Sequence, residues 1–139
     1  MTMSEKEIDE FLKNGRMLKI ASIGDNKPHV TPIWYVYQNG KFYISTSSKT
    51  RTVKNLKTNK NVAFSLDVGE AFADVKAVVG SGTAQIVTDP KLANDVDVKI
   101  KIKYLGSTDH PIAKKLAELD DTVIEITPTE KISWDYSKY

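Results

Sequence analysis

Apolar and polar positions along the chain change period several times, and each change marks an element. Near the start, Ile8, Phe11 and Leu12 share one helical face. Ser4, followed three residues later by Glu7, has the capping-box pattern, in which each side chain satisfies the other's free backbone N–H. Gly15 then offers a left-handed helix stop. From Met17 to Ile23 the pattern becomes β-prone, and Gly24-Asp25-Asn26-Lys27-Pro28 reads as a turn by composition. An apolar and aromatic run follows, with β-branched Val30, Thr31, Ile33 and Val36, and it breaks at Asn39-Gly40 before a second β-rich run from Lys41 to Thr46. Two such runs around an Asn-Gly step predict a hairpin.

Further along, the polar segment Lys57 to Asn61 predicts a turn and Val62 to Leu66 a buried strand. Val75 to Val87 is a long β-prone run in which Gly80 and Gly82 suggest a bulge or a close backbone approach. Asp89-Pro90 opens a helix with a cap residue and a first-turn proline. Two periods then compete. Val96, Val98, Ile100 and Ile102 alternate as in a strand, whereas Leu92, Val96, Ile100 and Tyr104 keep helical spacing. The cap and the Lys-rich opposite positions decide for helix. A further short helix is expected from Pro111 to Leu119, then two closing strands, Thr122 to Thr127 and Ile132 to Tyr136, around Pro128. The sum is a mainly β chain of six to seven strands with short helices, one small barrel domain over residues 1–139.

Composition narrows the chemistry. At 139 residues, 40% hydrophobic and 27% charged, the chain is an ordinary globular sequence able to bury a core. With no cysteine, disulfides, thiolate nucleophiles and cysteine metal sites are excluded. No apolar run approaches the roughly 20 residues that span a bilayer, and the first residues are too acidic for a secretory signal. A cytoplasmic protein without a membrane partner is expected. The net charge is only +2, yet residues 49–60 hold five Lys or Arg and no acid. A local positive patch on a mildly acidic body suits a small anionic ligand better than a long polyanion.

That patch follows directly on the hairpin. Ser45, Thr46, Ser47, Ser48, Thr50 and Thr52 are interleaved with Lys49, Arg51 and Lys54, and a helix-like piece ending VKNL begins. Hydroxyls, backbone N–H groups at a helix start and an Arg are what a phosphate monoester needs. A polar turn would account for Thr46, Ser47 and Ser48 equally well. Lys54, Lys57 and Lys60 have the near-helical spacing of a solvated face. Arg51, inside the hydroxyl cluster, is the stronger phosphate ligand. Trp34 and Tyr35 face opposite sides of a strand, one towards the core and the other towards an interface or ligand wall. His29 and His110 show no metal-ligand pattern and read as structural or exposed.

The order of strand, turn, TPIWYV, Asn-Gly hairpin, T-x4-R, VKNL and GSGTAQIV, closing with VIEITPTEKISWDYSK, resembles the FMN-binding split barrel, the superfamily of pyridoxamine 5′-phosphate oxidase. The resemblance covers nearly the whole chain through its combined spacing. It implies that Val30, Thr31, Pro32, Ile33 and Trp34 line the isoalloxazine, largely through backbone groups. It implies that Ser45, Thr46, Ser47, Lys49, Arg51, Thr52 and Lys54 surround the phosphate, that Trp134 stacks on flavin from a partner subunit or is a buried structural residue, and that the protein is a homodimer with two interfacial FMN sites. Many members carry Arg-Lys where this chain has Arg51-Thr52, so one phosphate charge is missing there, which Lys49 or Lys54 could replace. The substrate-gripping C-terminal Arg and His of the vitamin-processing oxidases have no counterpart in Ile132-Ser133-Trp134-Asp135. One branch of the superfamily uses the deazaflavin coenzyme F-420, whose anionic tail the Lys54, Lys57 and Lys60 series could meet.

Without Cys, a His–carboxylate motif or a metal cluster, any reaction has to be carried by a cofactor. The leading expectation is a flavin-dependent oxidoreductase acting on a small molecule other than pyridoxamine 5′-phosphate. The alternatives are a deazaflavin-dependent reductase and a non-catalytic carrier of flavin, deazaflavin or haem. A nucleic-acid binder ranks well below, because no aromatics interleave the basic run as stacking platforms. Exposed Trp34, Tyr35 and Tyr37 would give apolar surface for dimerisation.

Overall fold

The computed structural model describes residues 1–139. Helix α1 (Glu5–Asn14) begins with the predicted capping box: Glu7 N donates to Ser4 Oγ at 3.1 Å and Ser4 N to Glu7 Oε1 at 3.0 Å. It buries Ile8 and Leu12. Gly15 is not the left-handed stop its position suggested. Its φ is −64°, an ordinary value, and glycine is needed there because a Cβ would run into Leu66 and the Tyr35 hydroxyl.

Strands β1 (Leu18–Gly24) and β2 (Lys27–Ile33) form a hairpin through Asp25 and Asn26, both at positive φ. Lys27 and Pro28, expected in the turn, already belong to β2. Proline is tolerated in β2 because it is an edge strand. Strands β3 (Tyr35–Gln38) and β4 (Lys41–Ser47) close around Asn39 (φ 54°) and Gly40 (φ 74°), the two-residue turn that the Asn-Gly step predicts. Helix α2 (Arg51–Leu56) leads to β5 (Asn61–Val68) and β6 (Lys76–Ile86).

Helix α3 (Pro90–Leu105) settles the competing periods. Val96 and Ile100 are buried, Ile102 is exposed, Asp89 caps the start and left-handed Gly106 ends it. Helix α4 stops at Leu116 (Pro111–Leu116). The two closing strands expected around Pro128 are one strand, β7 (Asp121–Asp135). Its pairing with β6 steps from Ser81↔Glu130 to Gly82↔Pro128, so Thr129 bulges out and the ladder absorbs the proline. Gly80 is required there, since a Cβ would strike the Glu130 carbonyl.

All seven strands form one antiparallel sheet in the order β2-β1-β5-β6-β7-β4-β3, curled into a half-barrel. Its inner face holds Leu18, Ile20, Tyr35, Phe42, Ile44, Phe64, Leu66, Val78 and Ile124, with α1 and α2 contributing Leu12, Val53 and Leu56. Tyr35 and Tyr37, expected to be exposed, are both buried in this core. On the outer side α3 packs Val96 and Ile100 against Val36, Tyr43 and Val123. No helix is long and apolar enough to cross a membrane.

Candidate functional site

Pairing register opens the barrel at one place. Tyr35 of β3 lies opposite Ile44 of β4. Continued backwards, that register would set Ile33 against Thr46. Instead β2 turns away to pair with β1, with Ile33 opposite Leu18. A split is left between β2 and the end of β4. As an edge strand, β2 offers backbone N–H and C=O groups that no neighbouring strand uses. Val30, Thr31, Pro32 and Ile33 lie on that strand, and Ser45, Thr46 and Ser47 on the end of β4.

The break at Trp34 is held from the end of α3. Tyr35 N donates to the Tyr104 hydroxyl at 3.1 Å, and that hydroxyl donates to Arg16 O at 2.8 Å. Lys103 Nζ donates to Tyr35 O at 3.1 Å and lies 3.9 Å from the centre of the Tyr35 ring. Burial, with Arg16 adding to it, holds the Lys103 ammonium down to about 8. Burial also raises the Tyr35 phenol above its ordinary range. Of the pair Trp34 and Tyr35, then, Tyr35 is the core residue and Trp34 packs half-buried against the cluster under α3.

At the other end of the split, local hydrogen bonds occupy part of the hydroxyl cluster. Thr50 caps α2, donating to Ser47 O at 3.0 Å and accepting from Val53 N at 3.4 Å. Ser47 Oγ accepts from Lys49 N at 3.3 Å, and Ser48 donates to Asp120 at 2.6 Å. Ser45 Oγ is different: it is buried and has no hydrogen-bond partner.

Helix α2 turns Thr52, Val53, Asn55 and Leu56 inward and leaves Arg51 and Lys54 exposed. Thr52 therefore faces the packed side, so a charge at this position would be buried. None of the salt bridges involves Arg51, Lys49 or Lys54.

Arg51 lines a polar hollow of about 280 Å³ with Gly24, Asp25, Lys27, Pro28, His29 and Asn55. The Asn55 amide donates to Ser22 Oγ at 3.1 Å, which ties α2 to β1. Lys27 and His29 were not among the expected site residues. Only the packing of α2 on the β1–β2 hairpin brings them beside Arg51, and local sequence carries no signal of that packing. Trp134 stands apart. It pairs with Ala77 near the far end of β7, roughly 40 Å of strand path from Asp121 at ~3.3 Å per residue.

A second hollow, a groove of about 370 Å³, adjoins the split. Met17, Pro32, Ile33, Trp34, Ile100, Ile112 and Leu116 supply its apolar walls, with Ser45, Asp97, Lys101 and Asp121 as the polar lining. No group of three or more His, Asp or Glu is arranged to hold a metal ion.

A curled antiparallel half-barrel, open between β2 and β4 with hydroxyls and an unpaired Arg near the opening, is a split barrel. A family model described as pyridoxamine 5′-phosphate oxidase matches residues 4–135, and the chain belongs to that family. Among solved structures it is similar to a conserved hypothetical protein from Mycobacterium tuberculosis, with 30% identity, a TM-score of 0.89, and coverage of 99% of this chain and 88% of that one. A haem storage protein from Vibrio cholerae has 21% identity and a TM-score of 0.76 over 96% of this chain and 97% of its own. A FAD-binding protein from Mesorhizobium loti has 20% identity and a TM-score of 0.75 over 96% and 95%. The last two share the fold. No curated protein matches the sequence.

Proposed function

We propose that this protein binds FMN in the split between β2 and β4 and uses it to oxidise or reduce a small molecule. The observation that carries the reading is Arg51, a guanidinium without an ion-pair partner, in a hollow at the end of a split walled by a free strand edge. Family membership and the FAD-binding neighbour support a flavin. Arg51 would hold the phosphate with Lys27 or Lys49, and the Thr46 hydroxyl would add a neutral contact. Backbone groups of Val30–Ile33 would meet the polar edge of the ring, and Trp34 would limit access of water. Bound flavin supplies the two-electron chemistry that these side chains lack. The chain's own contribution is to bind, orient and shield.

The reading includes a two-fold homodimer. The outer face of β2, β1, β5 and β6 has no helix over it. Across it run Val30, Ala21 and Ala63 in register, and Ser65, Val79 and Ile132 beside them. Val30 is 65% exposed and Ile132 54% exposed at its two sides, with small side chains between. With the Lys19–Asp67 ion pair at 3.0 Å beside these residues, the face offers an apolar strip with a polar margin to an isologous two-fold contact. Trp134 projects on the same face, so any part it plays in a cofactor site belongs to the partner's split.

Exposed Lys54 and Lys57 favour, as the second reading, the deazaflavin coenzyme F-420 with its anionic tail. The absorption spectrum of the purified protein, followed by titration with FMN, F-420 and haemin, tests the choice. Tightest binding of FMN is expected, and tighter binding of either competitor would replace the reading.

A further inference from the structure

We infer that the groove between the β2–β3 break and helices α3 and α4 takes a small molecule with an apolar or aromatic body and a single cationic head. This names the substrate class of the flavin reaction proposed above, and it rests on that reading. The groove's volume, about 370 Å³, lies within the range of small-molecule sites. It shares Pro32, Ile33, Trp34 and Ser45 with the split, so a molecule seated in it borders the ring position.

Charge decides the class. Asp97 and Lys101 are paired at 2.6 Å one helical turn apart, and Lys101 is only 8% exposed, so its charge is already spent. Asp121 takes part in no salt bridge, and its carboxylate accepts no hydrogen bond. The polar lining thus carries one net negative charge. Burial, and then Asp97, push the Asp121 carboxyl above its ordinary range. The charge of a cationic head beside Asp121 offsets both. Ser45 Oγ, buried without a partner in the same lining, can accept an N–H from the head group. A carboxylate or phosphate would face Asp97 and Asp121 instead. The two hollows are therefore opposite in net charge: Arg51 and Lys27 outweigh Asp25 and suit the anionic end of the cofactor, and Asp121 suits a cation at the other side.

Three probes with the same ring separate charge from shape: phenethylamine, 2-phenylethanol and 3-phenylpropionate. Each is titrated into the full chain, with and without FMN, by calorimetry and by the indole N–H resonance of Trp34, assigned with Trp34→Phe. Phenethylamine is expected to bind about tenfold tighter than 3-phenylpropionate and to shift the Trp34 signal. Asp121→Asn should weaken the amine about three- to tenfold, leave 2-phenylethanol unchanged, and leave FMN affinity intact. Equal affinities, a preference for the acid, or an unmoved Trp34 resonance would overturn the inference even where FMN binds. A cationic preference in a protein that binds no FMN would keep the pocket and its ligand class and remove the flavin reading.

Discussion

Trp34 lies flat on Tyr104, with ring centroids 4.6 Å apart and planes 4° from parallel. This contact joins the one residue between β2 and β3 to the last turn of α3. The Tyr104 hydroxyl also meets Tyr35 N and Arg16 O. Tyr104→Phe keeps the stack and strands the Tyr35 amide, so it should cost about 1–2 kcal/mol of stability. Tyr104→Leu should lose roughly a further 0.5–1.5 kcal/mol with the ring pair. Urea unfolding of the three proteins measures both steps. Equal stability of wild type and Tyr104→Phe would mean that the hydroxyl does not hold the break.

Lys103, beside that clamp, predicts a pH dependence. Its folded pKa, held down to about 8, lies below the ordinary 10.5, so between these values the unfolded chain binds more protons. Stability from this group is therefore complete above the unfolded value and is lost as pH falls through the folded one. Between pH 7 and 9.5, wild type should gain stability relative to Lys103→Met. Parallel profiles would place the ammonium in ordinary aqueous surroundings.

The uncovered sheet face predicts a dimer burying more than about 1,200 Å², the lower bound of stable interfaces. Val30→Lys with Ile132→Lys places like charges on both sides of an isologous contact and should yield monomers in sedimentation. A wild-type monomer at micromolar concentration would contradict the interface.

Pyridoxamine 5′-phosphate should be a poor substrate. The closing stretch Ile132-Ser133-Trp134-Asp135 carries neither Arg nor His, and there Asp135 accepts from Ser137 N at 2.9 Å and lies 3.9 Å from Lys76, holding the chain end. Flavin-loaded protein with that substrate and oxygen should form negligible pyridoxal phosphate. Rapid formation of the aldehyde would contradict this.

Much of the frame was legible because its signals are local. The Ser4–Glu7 box, the Asn39-Gly40 turn and the Asp89-Pro90 cap act within a few residues, and each stands where the sequence puts it. What escaped depends on distant partners. Gly15 answers to Leu66 and Tyr35, not to its own helix. Pro128 ends no strand because a bulge opposite Gly82 absorbs it. Lys27, His29 and Arg51 meet only after a hairpin packs on a helix. Tyr35 and Tyr37 looked like interface residues until the curl of the sheet put them inside.

Binding of phosphate by Arg51 is the centre of the account. Charge-assisted hydrogen bonds contribute roughly 1.5–3 kcal/mol. Arg51→Ala should therefore weaken FMN about ten- to a hundredfold, at about 1.4 kcal/mol per decade. Riboflavin, which lacks the phosphate, should bind wild type and variant alike. The fold should survive, because Arg51 is exposed and takes part in no salt bridge. Fluorescence titration of both flavins into both proteins is the decisive measurement. A loss confined to FMN is the predicted result. Equal losses for FMN and riboflavin, or an unchanged FMN affinity, would contradict it.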